Sequence, residues 1–104
     1  MAQMKALNLE RIINILNRHK EELKEKYGVK EIGIFGSYVR GKYKEKSDLD
    51  ILVEFEEDAK IGLLKFMNME NYLSELIGVK VDLVEKSELK PRIGRHILKE
   101  VVPL

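Results

Sequence analysis

Cysteine and tryptophan are absent from the 104 residues, and proline occurs only twice, at Pro91 and Pro103. Without cysteine there is no disulfide, no thiolate metal site and no cysteine nucleophile. No apolar run approaches the roughly 20 residues that span a bilayer, and the N-terminus lacks the apolar core of a signal peptide. A cytoplasmic protein without membrane association is expected. Net charge is also scarce: 19 Lys and Arg against 18 Asp and Glu leave +1. Binders of nucleic acid usually carry a basic excess, so nucleic acid is not an expected partner.

Aspartate is the scarce acid. Only Asp48, Asp50, Asp58 and Asp82 occur, and the rest of the acidic residues are glutamate. Three of the four lie in segments of strand composition, where aspartate is normally depleted. Such misplaced carboxylates point to chemistry.

What is present reads as globular: 44% of residues are hydrophobic and 36% are charged. The length supports one domain over 1–104, with a core of modest size. Asn8 can cap a first helix over Leu9–Lys26, where Leu9, Ile12, Ile13, Leu16 and Leu23 recur at helical spacing and Gly28 marks the end. Val29–Phe35 is a short apolar strand. Gly36 breaks it, and Ser37–Arg40 has the length of one helical turn. Gly41–Lys46 reads as a solvated loop whose lysines could meet phosphate charge. Asp48–Phe55 is the second strand. Helix Gly62–Ile77 follows, with Ile61, Leu64, Met67, Tyr72, Leu76 and Ile77 as its apolar stripe and Gly78 as its stop. Val79–Val84 is the third strand. Ser87 with Glu88 can cap a last helical stretch, with Pro91 in its first turn and Ile93, Ile97, Leu98 and Val101 on its apolar side. The order predicts an α+β fold: a small mixed sheet with helices packed largely on one face.

The stretch Gly33–Val53 organises the rest. Asp48 and Asp50 stand at i and i+2, so on a strand they share a face, roughly 6.6 Å apart along the chain. That spacing suits shared divalent cations. Turn chemistry explains Asp48 beside Ser47, but not Asp50, which runs straight into Ile51-Leu52-Val53. An unpaired buried carboxylate is costly, and a cation offsets that cost. Asp82 can join them if the third strand lies beside the second, and a third carboxylate suits a second cation or a general base. Gly36-Ser37 lets a backbone approach phosphate and adds a hydroxyl donor. Together these features suggest chemistry on a nucleotide. Gly36 to Lys42 nearly satisfies the P-loop pattern, but Tyr43 stands where a small hydroxyl residue must bind the metal. An EF-hand starting at Asp48 fails at Val53 and Ala59. His19 and His96 read as surface residues of charged helices.

The run Gly36-Ser37, Arg40-Gly41, Ser47-Asp48-Leu49-Asp50 resembles the signature of the DNA polymerase β-like nucleotidyltransferases. The short chain, the Val79–Val84 strand and the tail around Pro91–Pro103 resemble the minimal nucleotidyltransferases of prokaryotes. The resemblance implies a polymerase β-like core in which Asp48, Asp50 and Asp82 are catalytic and hold two Mg2+ ions bridging ATP. It implies that Gly36 and Ser37 form the phosphate-binding turn, supported by Arg40. It further implies a small helical HEPN toxin as partner, with the protein acting as antitoxin by transferring AMP to a tyrosine of that toxin. The alternative is an antitoxin that binds nucleotide without catalysis and neutralises its partner by contact alone.

Overall fold

The computed structural model describes residues 8–42, 44 and 47–104. Two helices come first, α1 (Leu9–Arg18) and α2 (Lys20–Tyr27). Asn8 caps α1 as expected, its side chain accepting the Arg11 amide at 2.9 Å. The expected single helix over Leu9–Lys26 is interrupted at His19. There the imidazole Nδ1 donates to the Ile15 carbonyl at 2.9 Å, and the His19 amide turns to Leu16 instead. A side chain has replaced the i→i−4 backbone bond, and the helix resets. Gly28, at φ 70°, ends α2 in the left-handed conformation.

The chain then runs through β1 (Val29–Phe35), the short helix α3 (Ser37–Arg40), β2 (Leu49–Phe55), α4 (Leu63–Ile77) and β3 (Val81–Glu85). It ends with α5 (Pro91–Glu100) and β4 (Val102–Pro103). The sheet order is β3-β2-β1-β4, with β2 and β3 parallel and the other two pairs antiparallel. This is the mixed sheet that the element order predicts. β4 is an addition: two residues after α5 pair with Gly33 and Ile34. So short a strand carries no periodicity to read. Ser87 does not cap α5. It sits in a 3-10 turn (Lys86–Glu88) with its hydroxyl on Glu85, and Lys90 holds the cap position ahead of Pro91.

Alternation along the strands sorts the sheet into two faces. Ile32 and Ile34 of β1, Leu49, Ile51 and Val53 of β2, and Val81 and Leu83 of β3 are buried together with residues of α1, α2 and α4. The same alternation sends Asp50, Leu52 and Glu54 of β2 and Asp82 of β3 to the opposite face. There α5 crosses, with Val101 close over Gly33: a Cβ on Gly33 would come within 2.6 Å of Val101 Cγ2 and 3.0 Å of the Val102 carbonyl. Three long helices therefore cover one face, and α5 partly covers the other.

The apolar stripe of α4 differs from the expected one. Met69, Leu73 and Ile77, at i, i+4 and i+8, are buried, while Leu64 and Met67 are 78% and 48% exposed. Apolar residues lie on more than one side of α4, so spacing alone fits two stripes, and the sheet selects one. Tyr72 is anchored by its edge, its hydroxyl donating to Glu22 of α2 at 2.7 Å. Leu73→Ala should therefore cost about 2–5 kcal/mol, whereas Leu64→Ala should stay within about 0.5 kcal/mol. Urea unfolding of the two variants measures both.

Candidate active site

Register brings the carboxylates together. In the antiparallel pair Phe35 faces Asp50, and in the parallel pair Asp50 faces Asp82. Asp48 lies just before β2, exposed, two residues from Asp50, and the Leu49 amide bonds the Lys80 carbonyl to align the strand starts. Asp50 and Asp82 thus stand side by side at one end of the sheet, with Asp48 near enough to act on Asp50 through its charge.

Gly36 closes this corner. Its φ of 84° and ψ of −153° belong to a region only glycine enters readily. A Cβ there would stand 2.0 Å from Asp50 Oδ2. The backbone after β1 is therefore laid directly against the carboxylate, and α3 starts at Ser37 beside it. The Gly36 carbonyl accepts the Val39 and Arg40 amides, both at 3.1 Å. Arg40 ends the turn with its side chain half exposed, and Gly41 stops it at φ 70°. Of the lysine loop, Lys42 and Lys44 are exposed; Tyr43, Glu45 and Lys46 lie outside the described residues.

Asp50 carries the electrostatic strain. Its pKa is pushed up to about 6, first by burial, then by the negative charges of Asp82 and Asp48, and by a hydrogen bond with Asp82. Arg40 offsets part of this. Among the described residues no three acidic, histidine or cysteine side chains form a ready metal cage. Magnesium rarely asks for one, because it is commonly held by one or two carboxylates with substrate phosphates and water. The Asp50–Asp82 pair, crowded and short of positive charge, fits that donor set.

Two residues of α5 join the site unforeseen. Glu100 accepts the Gly36 amide at 2.8 Å and the Arg40 Nη1 at 2.7 Å. His96 is exposed, as expected, and also borders a cleft of about 440 Å³ with Phe35, Gly36, Arg40, Asp50 and Ile93. That volume lies in the range of small-ligand sites. Glu100 had a faint signal in the sequence: a carboxylate in the last turn of a helix opposes the helix dipole and needs another reason to be there.

Residues 16–104 match the family model described as a nucleotidyltransferase domain. The chain belongs to this family. Protein adenylyltransferase MntA of Thermococcus cleftensis is 58% identical over 99 residues, covering 95% of this chain and 98% of that protein. A solved structure whose own assignment as a minimal nucleotidyltransferase is provisional superposes with a TM-score of 0.73 at 33% identity, covering 96% of this chain and 99% of that one. A toxin–antitoxin crystal structure with AMP-PNP shares the fold at 22% identity and a TM-score of 0.67, covering 93% and 72%. The chain is thus a nucleotidyltransferase, as the resemblance of its Gly-Ser and Asp-x-Asp elements implied, with the minimal fold that its length and flanking sequence implied. No helix among the described residues is long and apolar enough to cross a membrane.

For this nucleotidyltransferase, crowding of the carboxylates predicts a measurable trade of stability for function. Folding lifts Asp50 from 3.8 to about 6, so the native state favours the protonated form. The resulting penalty is absent well below the unfolded value, grows as pH rises between the two values, and is full above about 6. Metal-free Asp50→Asn should then be more stable than the parent by about 1 kcal/mol near neutral pH, after discounting for solvent screening. The gain should vanish near pH ~4. Thermal melts in EDTA across this range test it.

Proposed function

We propose that this nucleotidyltransferase transfers AMP from ATP to a protein hydroxyl, most simply a tyrosine of a HEPN toxin partner, and thereby serves as its antitoxin. The observation that carries the reading is the juxtaposition of Asp50 and Asp82 across the parallel pair, with the Gly36 turn against them. The 58% identity to a protein named an adenylyltransferase, along nearly the whole chain, supports the substrate class. In this reading residues 1–104 act as one nucleotidyltransferase domain in the cytoplasm.

Asp48, Asp50 and Asp82 would hold two Mg2+ ions, which supply charge neutralisation for the triphosphate and activation of the attacking oxygen. The Gly36-Ser37 turn and Arg40 would bind the outer phosphates. The acceptor oxygen attacks the α-phosphorus, the bond to pyrophosphate breaks, and pyrophosphate leaves in line. A tyrosine hydroxyl has a pKa of about 10, so its proton needs an acceptor near neutral pH. Asp82 is exposed and comes from a separate strand, which lets it receive that proton from the side where a protein acceptor enters. Asp50 is partly enclosed between Gly36 and Asp82 and serves the nucleotide. The near-neutral net charge argues against a nucleic-acid acceptor.

Leu63, Leu64 and Met67 lie exposed on α4 and offer apolar surface to a partner. This favours the rival reading as well, in which contact alone neutralises the toxin. Incubation with labelled ATP, Mg2+ and the product of the neighbouring gene separates the two: labelled partner supports transfer, and a stable unlabelled complex supports contact alone. Asp48→Asn with Asp50→Asn should abolish labelling while preserving the circular-dichroism spectrum. Asp82→Asn should slow single-turnover transfer by roughly 100-fold or more, while changing MgATP affinity far less than Asp50→Asn. Equal transfer by Asp82→Asn and the parent would remove Asp82 from the chemistry.

A further inference from the structure

Glu100 ends α5, where a helix presents its own negative pole. Local structure disfavours a carboxylate there, yet both of its oxygens are used. Oε2 takes the Gly36 amide at 2.8 Å and Oε1 takes Arg40 Nη1 at 2.7 Å. The carboxylate presents one negative charge and two oxygens to a backbone N–H and a guanidinium. A phosphate would present the same features to the same donors. Burial alone would raise the Glu100 pKa, but the Gly36 amide and then Arg40 outweigh it and hold the group below the ordinary carboxylate range.

We propose that Glu100 is a resident anion of the phosphate subsite, which incoming polyphosphate must displace, and so sets the affinity of this enzyme for nucleotide and pyrophosphate. The proposal rests on the reading of Gly36 and Arg40 as phosphate-binding groups given above. The Gly36 amide has one hydrogen and cannot serve two anions at full strength. Glu100 also adds a fourth carboxylate to a corner that already holds Asp48, Asp50 and Asp82, and all four repel a triphosphate. Displacement is feasible, because Arg40 is 54% exposed and solvent screens its pair with the half-buried Glu100, at 21%. When pyrophosphate leaves, the carboxylate can return to the same two donors and oppose rebinding.

Calorimetry of Mg-pyrophosphate and MgATP binding to the parent, Glu100→Gln and Glu100→Ala tests this, with thermal melts to confirm folding. Gln keeps the shape and an acceptor but loses the charge, and it remains informative if the Ala variant fails to fold. Both ligands should bind about ten-fold more tightly to Glu100→Gln, the scale of one charged hydrogen bond. Adenosine, which lacks phosphate, should bind all forms alike. Unchanged or weaker binding of the phosphate ligands to Glu100→Gln overturns the proposal; weaker binding would mean that Glu100 holds the cradle in shape. Failure of every form, the parent included, to bind either phosphate ligand would overturn the nucleotide reading itself.

Discussion

Asp50 touches a backbone that has no side chain, and the site depends on that contact. Gly36 adopts a positive φ and leaves no room for a Cβ beside the Asp50 carboxylate. Gly36 directly follows Phe35, which pairs with Asp50 across the antiparallel strands, so the end of β1 and the start of β2 form one corner. Any side chain at Gly36 would have to push the carboxylate away or open the corner. The closeness also sets the α3 turn beside the acidic residues.

The parallel pair supplies the rest of the constraint. β3 follows β2 only after the α4 crossover, and its register sets Asp82 against Asp50. Parallel strands need such a crossover, and α4 secures it by burying Met69, Leu73 and Ile77 on the far face. The core therefore works at a distance: apolar residues on one face hold carboxylates in line on the other. The site side remains only partly covered, by α5, which leaves a cleft between Phe35, Asp50 and Ile93.

Stability and chemistry oppose each other at this corner. Burial and two like charges raise Asp50 to about 6, a cost that the fold carries in the absence of cations. Arg40 offsets part of it and is itself shared with Glu100. A strained set of this kind is what a site built around charged ligands looks like when it is optimised for function before stability.

Periodicity and misplaced polar residues were legible in the chain alone. They determined the order of the main elements, the caps at Asn8 and Gly28, the mixed sheet and the placing of Asp50 and Asp82 on strands, because each depends on near neighbours and on the energetic oddity of a carboxylate in a strand. The break at His19 was hidden, since an imidazole donating to a backbone carbonyl has no spacing rule. The buried stripe of α4 was ambiguous because two stripes satisfy the same periodicity, and only the sheet beneath chooses between them. β4 is too short to show a pattern. Glu100 lies 64 residues from Gly36, and its role arises from a helix crossing the second face of the sheet. Such contacts couple residues that no local rule relates. Tertiary packing alone decides them, because the partner of a charge is set by where the chain returns.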